Sequence, residues 1–435
     1  MRGGPQTGLC TSCFAPASSM LSPLGLPIYR YSEFLDTESE NLISEPDLAA
    51  GMAEQADAGA LRYFGRGTLP DGNVGREILE RYKLAARETV RVIAGTLANS
   101  RPDVAVFHHG IYVPQGVIGT VMRKVGVPVV NWGPAYRKST VLFSHGDSYH
   151  HTMVDEPYDQ WAKEPWTPFD EARILDYLSS RWNGGNDWIS FQAIDAQGVD
   201  GLAKHLSLDP TLPIIGLLTN VIWDAQLHFR ASAFPSMLEW LFATIDYFIA
   251  HPQLQLVIRV HPAEVLGTVP SRQCAADEIE RRFGALPKHI KIVGPAEKIS
   301  TYALMSLCDS ALIYGTKTGL ELACTGQPVV VAGDAWCRGK GFTIDVESEA
   351  EYLTVLDRLP FKGPISEEQV SEARRYAHHF FFRRMIPVDT LRPDHMFGPY
   401  SINVQSLDEL RPGADRGLDV ICDGILNGTP FVYTP

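Results

Sequence analysis

The chain lacks any apolar run long enough to cross a bilayer. Its longest apolar-leaning stretch without a formal charge, Val104 to Met122, is interrupted by His108, His109, Pro114 and Gln115, whereas a spanning helix needs about 20 predominantly apolar residues. The opening Met1-Arg-Gly-Gly-Pro5 has no apolar core of the kind a signal peptide carries. Cysteine is scarce: seven in 435 residues, at positions 10, 13, 274, 308, 324, 337 and 422. An odd count spread so thinly reads as reduced thiols, not as a disulfide framework. Cys10 and Cys13 make one Cys-x-x-Cys without a second pair, which is weak evidence for zinc and weaker for redox chemistry, and neither is expected. Basic residues are also in deficit, 38 against 51 acidic, for a net charge of −13. That field disfavours nucleic acid and anionic membrane as general partners, so an anionic substrate needs a local basic pocket. These absences point to a cytoplasmic protein. Peripheral attachment to a membrane assembly complex at the inner face stays open, although no basic amphipathic helix argues for it.

With 45% apolar and 20% charged residues, the chain is ordinary globular material and long enough for two or three domains. Residues 1 to about 75 are rich in Gly, Pro, Ser and scattered acids, and only Leu26 to Tyr29 looks strand-like. Residues 76 to 98 then carry helical spacing, Asp103 to Phe107 reads as a buried strand, Val117 to Lys124 as a helix and Val127 to Asn131 as the next strand. Strand, helix, strand implies a parallel α/β layer. Residues 150 to 210 hold Trp161, Trp166, Trp182 and Trp188 among Pro, Gly, Asn and Asp, with a helix near Asp170 to Arg181, and read as connector and interdomain surface. A second α/β unit begins at Leu212 to Leu218. An amphipathic helix capped by Ser236 follows, with Leu238, Leu241, Phe242, Ile245, Phe248 and Ile249 on its apolar face. Further strands are expected at Leu254 to Val260, Ile290 to Val293, Ser310 to Tyr314 and Pro328 to Ala332, with a helix over Thr318 to Thr325. Ser366-Glu-Glu-Gln369 starts a capping-box helix that runs to about Arg384. The segment from Pro387 onward shows no strong pattern.

In open α/β sheets ligands bind outside the carboxyl ends of the strands, and there the chemistry-bearing residues gather. Leu256-Val-Ile-Arg-Val-His-Pro-Ala-Glu264 delivers Arg259, His261 and Glu264 to a strand tip. Pro262 biases the residue before it to extended backbone, which suits His261 for a phosphate or ribose contact. Ile313-Tyr-Gly-Thr-Lys-Thr-Gly-Leu-Glu321 is strand, glycine turn and helix start. Backbone N–H groups at Gly315, with Thr316, Lys317 and Thr318, form an anion site for a monophosphate or diphosphate, and Glu321 would accept from ribose hydroxyls. The spacing is not that of a Walker loop. Gly333 to Gly341 offers Arg338 and Lys340 to close over a phosphate or acidic sugar, and Thr219 to Asp224, with Asn220, lines the same cleft. From the other side, Phe107-His-His-Gly110 presents His108 or His109 as general base for an acceptor hydroxyl. Each of these also has a plain structural reading, as a capped helix, a solvated charge or a histidine satisfied by a loop carbonyl. His145, His150 and His151 cluster without metal-ligand spacing, so no metal is predicted.

The run Ile258 to Glu264, then Ile299-Ser-Thr-Tyr302, then Tyr314 to Val329 resembles the donor-binding half of GT-B glycosyltransferases, and most of all the capsular polysaccharide biosynthesis proteins. The likeness covers about residues 210 to 385. It implies two Rossmann-like domains facing a cleft: an acceptor-side domain with the Trp-rich connector over 1–205, a nucleotide-sugar-binding domain over 206–386 and a tail over 387–435. It implies donor ribose binding by Glu321 with Gly326-Gln-Pro328. His261-Pro262 and Thr316/Thr318 resemble in type the motifs that bind a CMP donor in bacterial sialyl- and Kdo-transferases of this superfamily. The carboxyl-terminal helix is expected to cross back and brace the two domains. Residues 1 to 100 supply almost none of the opening strand, glycine-rich turn and βα units of a full first domain, so that domain is expected to be incomplete. The activity implied is metal-independent transfer from a nucleotide-sugar donor to a glycan or lipid-linked glycan acceptor. Three alternatives remain open: a phosphotransferase using a CDP-polyol-type donor, a non-catalytic nucleotide-binding subunit of a polysaccharide assembly complex and, more distantly, a sugar epimerase.

Overall fold

A computed structural model describes residues 14–16, 18–19, 21–34, 44–182, 187, 198–225, 227, 232–267, 269–393 and 400–435. Cys10, Cys13 and Trp188 lie outside them.

The amino-terminal layer opens with a feature the sequence reading did not anticipate. Pro46–Phe64 is a helix of 19 residues, started by the Glu45 carboxylate on the Leu48 N–H and by Pro at its first turn, and ended by Gly65 in the left-handed region. It packs on the helix Asn73–Asn99 through small residues. Ala56, Ala58 and Ala60 are fully buried, and a Cβ on Gly59 would come within 2.5 Å of the Tyr82 ring. Strand β1 (Ala105–His108), the helix Gln115–Lys124 and β2 (Val129–Pro134) follow, then β3 (Thr140–His145). Strands β1 and β2 pair in parallel, but β2 and β3 are antiparallel, so a single βαβ step of Rossmann type is present.

The second layer holds β4 (Ile214–Leu218), β5 (Gln255–Arg259), β6 (Ile290–Val293), β7 (Ser310–Ile313), β8 (Val329–Val331) and β9 (Ile344–Asp345). All five pairings are parallel, in the order β6-β5-β4-β7-β8-β9. Renumbered from its own first strand, this is 3-2-1-4-5-6, the Rossmann order, whose strand sequence reverses between β4 and β7. The strands are short, continuous apolar runs because both faces are covered. Leu218, Val257, Ala311, Ile313, Val329 and Val331 point into one core, and Ile215, Leu217, Leu256, Ile258, Leu312 and Val330 into the other. Ser236 caps the helix Met237–Ala250 as expected, but that helix buries Met237, Trp240, Leu241, Thr244, Ile245 and Phe248 and leaves Ile249 exposed.

The two layers share a core. The cluster on one face of the parallel sheet continues into Leu142, Trp161, Tyr177, Phe380, Phe381 and Met385. The helix Glu367–His378 begins with the expected capping box of Ser366 and Gln369 and passes into a wider-turned segment, His379–Arg384. It then delivers β10 (Met385–Pro387), antiparallel to β3. The carboxyl-terminal segment does crossbrace the molecule, and the residues after Pro387 carry more structure than their sequence promised. Strands β11 (Leu391–Pro393) and β12 (Tyr400–Ile402) form a ladder, and the helix Arg416–Asn427 is capped by Asp415. Phe431 is buried against Phe143 in the amino-terminal core. The chain is thus an α/β protein, with one six-stranded parallel sheet in the Rossmann order and a mixed sheet of β1, β2, β3 and β10 on the amino-terminal side. Leu26 to Tyr29 is not a strand. Among the described residues no helix is long and apolar enough to cross a membrane.

Candidate functional site

The crevice between β4 and β7 is where the strand order reverses. The loop after β4 and the turn after β7 meet across it, where the Gly315 N–H donates to Asn220 Oδ1 at 3.1 Å. The Thr318 N–H and the Thr316 hydroxyl also interact, at 3.3 Å. Two backbone donors expected for an anion are therefore already occupied. Next to this turn, the His261 N–H donates to Thr219 Oγ1 at 3.0 Å, and its Nδ1 accepts from the Ala263 N–H at 3.1 Å. That contact places the ring proton of the neutral imidazole on Nε2. Burial, then the positive charges of Lys317 and Arg259, push His261 down to about 4. Lys317 is also depressed, to about 8, by burial and by Arg181, while Glu321 works against that shift. The ammonium lies 3.2 Å from Glu321 Oε1 and 4.6 Å from the ring centroid of Tyr136.

Glu321 sits in a buried network instead of facing solvent. It accepts from the Tyr302 hydroxyl and pairs with Arg181 Nη2 at 3.1 Å. Arg181 in turn pairs with Asp187, which accepts from the Tyr177 hydroxyl at 2.7 Å. Burial alone would raise this carboxyl, but Arg181 and Lys317 hold it down at about 2. Arg181 comes from the connector helix Pro168–Trp182, in keeping with the expected interdomain surface, but it is buried there.

Four other predicted donor contacts are engaged elsewhere. The Arg259 guanidinium donates to the carbonyls of Gly294, Glu297 and Ile299 and organises the loop after β6. Arg338 donates to the carbonyls of Val331, Gly333 and Val346. Lys340 donates to Val154 O at 2.8 Å and Glu156 O at 3.0 Å, tying the connector to the Rossmann layer. Glu264 is fully buried and accepts from the Ala275 N–H; burial pushes it up to about 7. The shared reason is that a buried cation or carboxyl must be satisfied by the nearest backbone groups, which a strand-end position in the sequence does not reveal.

From the amino-terminal side, the loop after β1 enters the same space. His109 and Tyr112 have left-handed backbones at φ 68° and 69°, a costly conformation for residues with a Cβ and one that concentrates at functional sites. Gly110, at φ 77°, permits the turn, since a Cβ there would lie 2.7 Å from Asn131 Cγ. The unforeseen helix Pro46–Phe64 anchors the loop: Gln55 accepts from the Tyr112 N–H at 2.6 Å, and Arg62 donates to the Tyr112 hydroxyl at 3.2 Å and pairs with Asp224 at 3.0 Å. The His109 ring stacks on Tyr112 and lies 5.6 Å from His150. Its Nδ1 is buried with no hydrogen-bond partner, and burial, then the His108 and Arg62 charges, push it down to about 4. His108 is exposed and packs edge-on against Trp132. Tyr136, Tyr149 and His150 face Trp336 at 6.0 to 6.2 Å between ring centroids. Trp336 and Asp334 belong to the loop after β8. Asp334 Oδ1 is buried without a partner, and burial raises its carboxyl. Tyr136, Tyr149 and Arg181 are not marked by their local sequence, and Asp334, Trp336 and His150 lie in stretches singled out for other residues or for metal binding; only the packing of two layers brings them together.

Residues 202–361 match the family described as capsule polysaccharide biosynthesis protein. That stretch contains the whole Rossmann sheet and every crevice residue of the second layer. No curated protein matches the sequence. Among solved structures, the chain is similar to KpsC of Thermosulfurimonas dismutans. The form titled beta Kdo 2,4 transferase shares 13% identity, covering 62% of this chain and 78% of that one, with a TM-score of 0.40. The form titled beta Kdo 2,7 transferase shares 11% identity, covering 72% and 85%, with a TM-score of 0.38. A UDP-GlcNAc 2-epimerase of Methanocaldococcus jannaschii shares 12% identity, covering 69% and 80%, with a TM-score of 0.31. At these values the likenesses assign no activity.

Proposed function

We propose that the chain is a glycosyltransferase that moves a sugar from a nucleotide-sugar donor to a glycan or lipid-linked glycan acceptor in capsule-type polysaccharide synthesis. The observation that carries this reading is the convergence of Asn220, Gly315, His261 and Lys317 at the carboxyl edge of β4, β5 and β7, beside the reversal of strand order, within the stretch that matches the capsule family.

In this reading the acceptor hydroxyl attacks the anomeric carbon, the bond from that carbon to the phosphate oxygen breaks, and the electron pair leaves on the nucleotide phosphate. The Lys317 ammonium and the Nε2–H of His261 meet that developing charge in a largely dry site, where a fixed donor stabilises it strongly. Thr316 and Thr318 add hydroxyls. Glu321 holds Lys317 at 3.2 Å, and no metal is required because the cation is supplied by the chain. His109 takes the acceptor proton. A value near 4 keeps its lone pair available at neutral pH but makes it a weak base; the arrival of an anionic donor raises it towards the working range.

The test is a thermal-shift panel with CMP, CDP, UDP, GDP and ADP on the wild type and on His261→Ala. A ligand at about a hundred times its dissociation constant stabilises the native state by about 2.7 kcal/mol. The reading expects at least one nucleotide to shift the wild type and to lose most of that shift in the variant. No shift with any nucleotide would overturn it.

A further inference from the structure

Trp182 ends the connector helix Pro168–Trp182. Its indole stacks on Tyr302, with centroids 5.6 Å apart and planes 21° from parallel, yet it remains 45% exposed while Tyr302 is buried. The same helix buries Ile174, Tyr177 and Leu178, so the open indole is not for want of a core. Tyr302 stands in the helix Thr301–Met305 after β6, and its hydroxyl donates to Glu321. Arg181, the residue before Trp182, holds Oε1 of the same carboxylate at 3.1 Å, and Lys317 reaches that same oxygen at 3.2 Å. Lys317, Glu321, Tyr302 and Trp182 therefore form an unbroken run of contacts from the crevice to a flat, half-open aromatic face. Tyr302 and the Arg181 anchor fix the orientation of that face.

We propose that Trp182 is the platform on which the base of the donor nucleotide stacks, the phosphate end lying towards Lys317 and His261. The inference rests on the nucleotide-donor reading above and adds the place and chemistry of base recognition. Every nucleobase has a π-face, so such a platform gives affinity for a base without choosing among bases.

The experiment measures dissociation constants by calorimetry for CMP, UMP, GMP and AMP, and for ribose 5-phosphate, which lacks a base. Wild type, Trp182→Ala and Trp182→Phe are compared, with unfolding midpoints recorded for each. For the nucleotide that binds the wild type best, Trp182→Ala is expected to weaken binding by about 5- to 150-fold, Trp182→Phe to recover most of that loss, and ribose 5-phosphate to bind all three proteins alike. Equal loss for the nucleotide and for ribose 5-phosphate would overturn the inference, because it would mark a structural role. Unchanged nucleotide binding in Trp182→Ala would overturn it while leaving the nucleotide-donor reading standing. Failure of every nucleotide to bind the wild type would overturn both.

Discussion

Replacing Arg181 by Met is the sharpest test of how the connector and the Rossmann layer are joined. The guanidinium is 8% exposed and faces the side chains of Glu321 and Asp187, at 2% and 6%. At 3.1 Å and an effective dielectric constant of about 20, one such pair is worth about 5 kcal/mol of direct attraction, most of it spent on desolvation in the intact protein. Deleting one partner leaves the others buried and uncompensated, at a cost of about 3–5 kcal/mol. The carboxyl gives a second route to the number. Glu321 is held at about 2, against an ordinary 4.5, a net gap of about 3 kcal/mol to which Arg181 is the largest favourable contributor, ahead of Lys317 and Tyr302. A carboxyl depressed in the folded state contributes stability that is complete above its unfolded value and lost as the pH falls towards its folded value. Urea denaturation should therefore show Arg181→Met about 3 kcal/mol less stable at pH 7, with the difference shrinking as the pH falls from 4.5 towards 2. A difference below about 1 kcal/mol at pH 7, or one that does not change with pH, would refute the reasoning.

Burial and Arg181 push the Lys317 ammonium down to about 8, so the dissociation constant of the bound nucleotide should rise about tenfold per pH unit above 8; calorimetry should find that break gone in Lys317→Arg. His109→Gln should lower kcat about 10²- to 10⁴-fold with nucleotide affinity unchanged, measured by steady-state transfer and by titration. Gly110→Ala forces a Cβ to 2.7 Å from Asn131 Cγ at φ 77° and should cost at least about 1–2 kcal/mol, seen as a lower unfolding midpoint. Transfer should survive EDTA, since the reading assigns the charge on the leaving phosphate to Lys317 and His261.

Much of the Rossmann layer is legible because strands covered on both faces are written as short apolar runs. Val329–Val331 and Ile290–Val293 announce themselves, and Ser236 and Ser366 mark helix starts by their hydroxyls. The helix Pro46–Phe64 is illegible by the same rule. Between Met52 and Phe64 its buried positions are Gln55, alanines and Gly59, so the apolar stripe that Leu48 and Met52 begin is interrupted, although its Pro46 and Gly65 boundaries were there to be read. The site divides similarly. Asn220, Gly315, His261 and Lys317 follow from their place after strands, whereas the inward turn of Arg259, Arg338, Lys340 and Glu264 depends on carbonyls and N–H groups that folding brings to them. Arg181 and Trp182 are invisible because their partners, Glu321 and Tyr302, are supplied by another layer.

The most direct test of the central claim is a transfer assay with a panel of CMP-, UDP- and GDP-sugars and a capsule-type oligosaccharide acceptor, following nucleotide release and the mass and linkage of the product. The account predicts acceptor-dependent release of nucleotide from at least one donor, a new glycosidic bond in the product, and loss of both in His261→Ala with the fold intact. A product joined through a phosphodiester, or nucleotide binding without turnover of any donor, would contradict it.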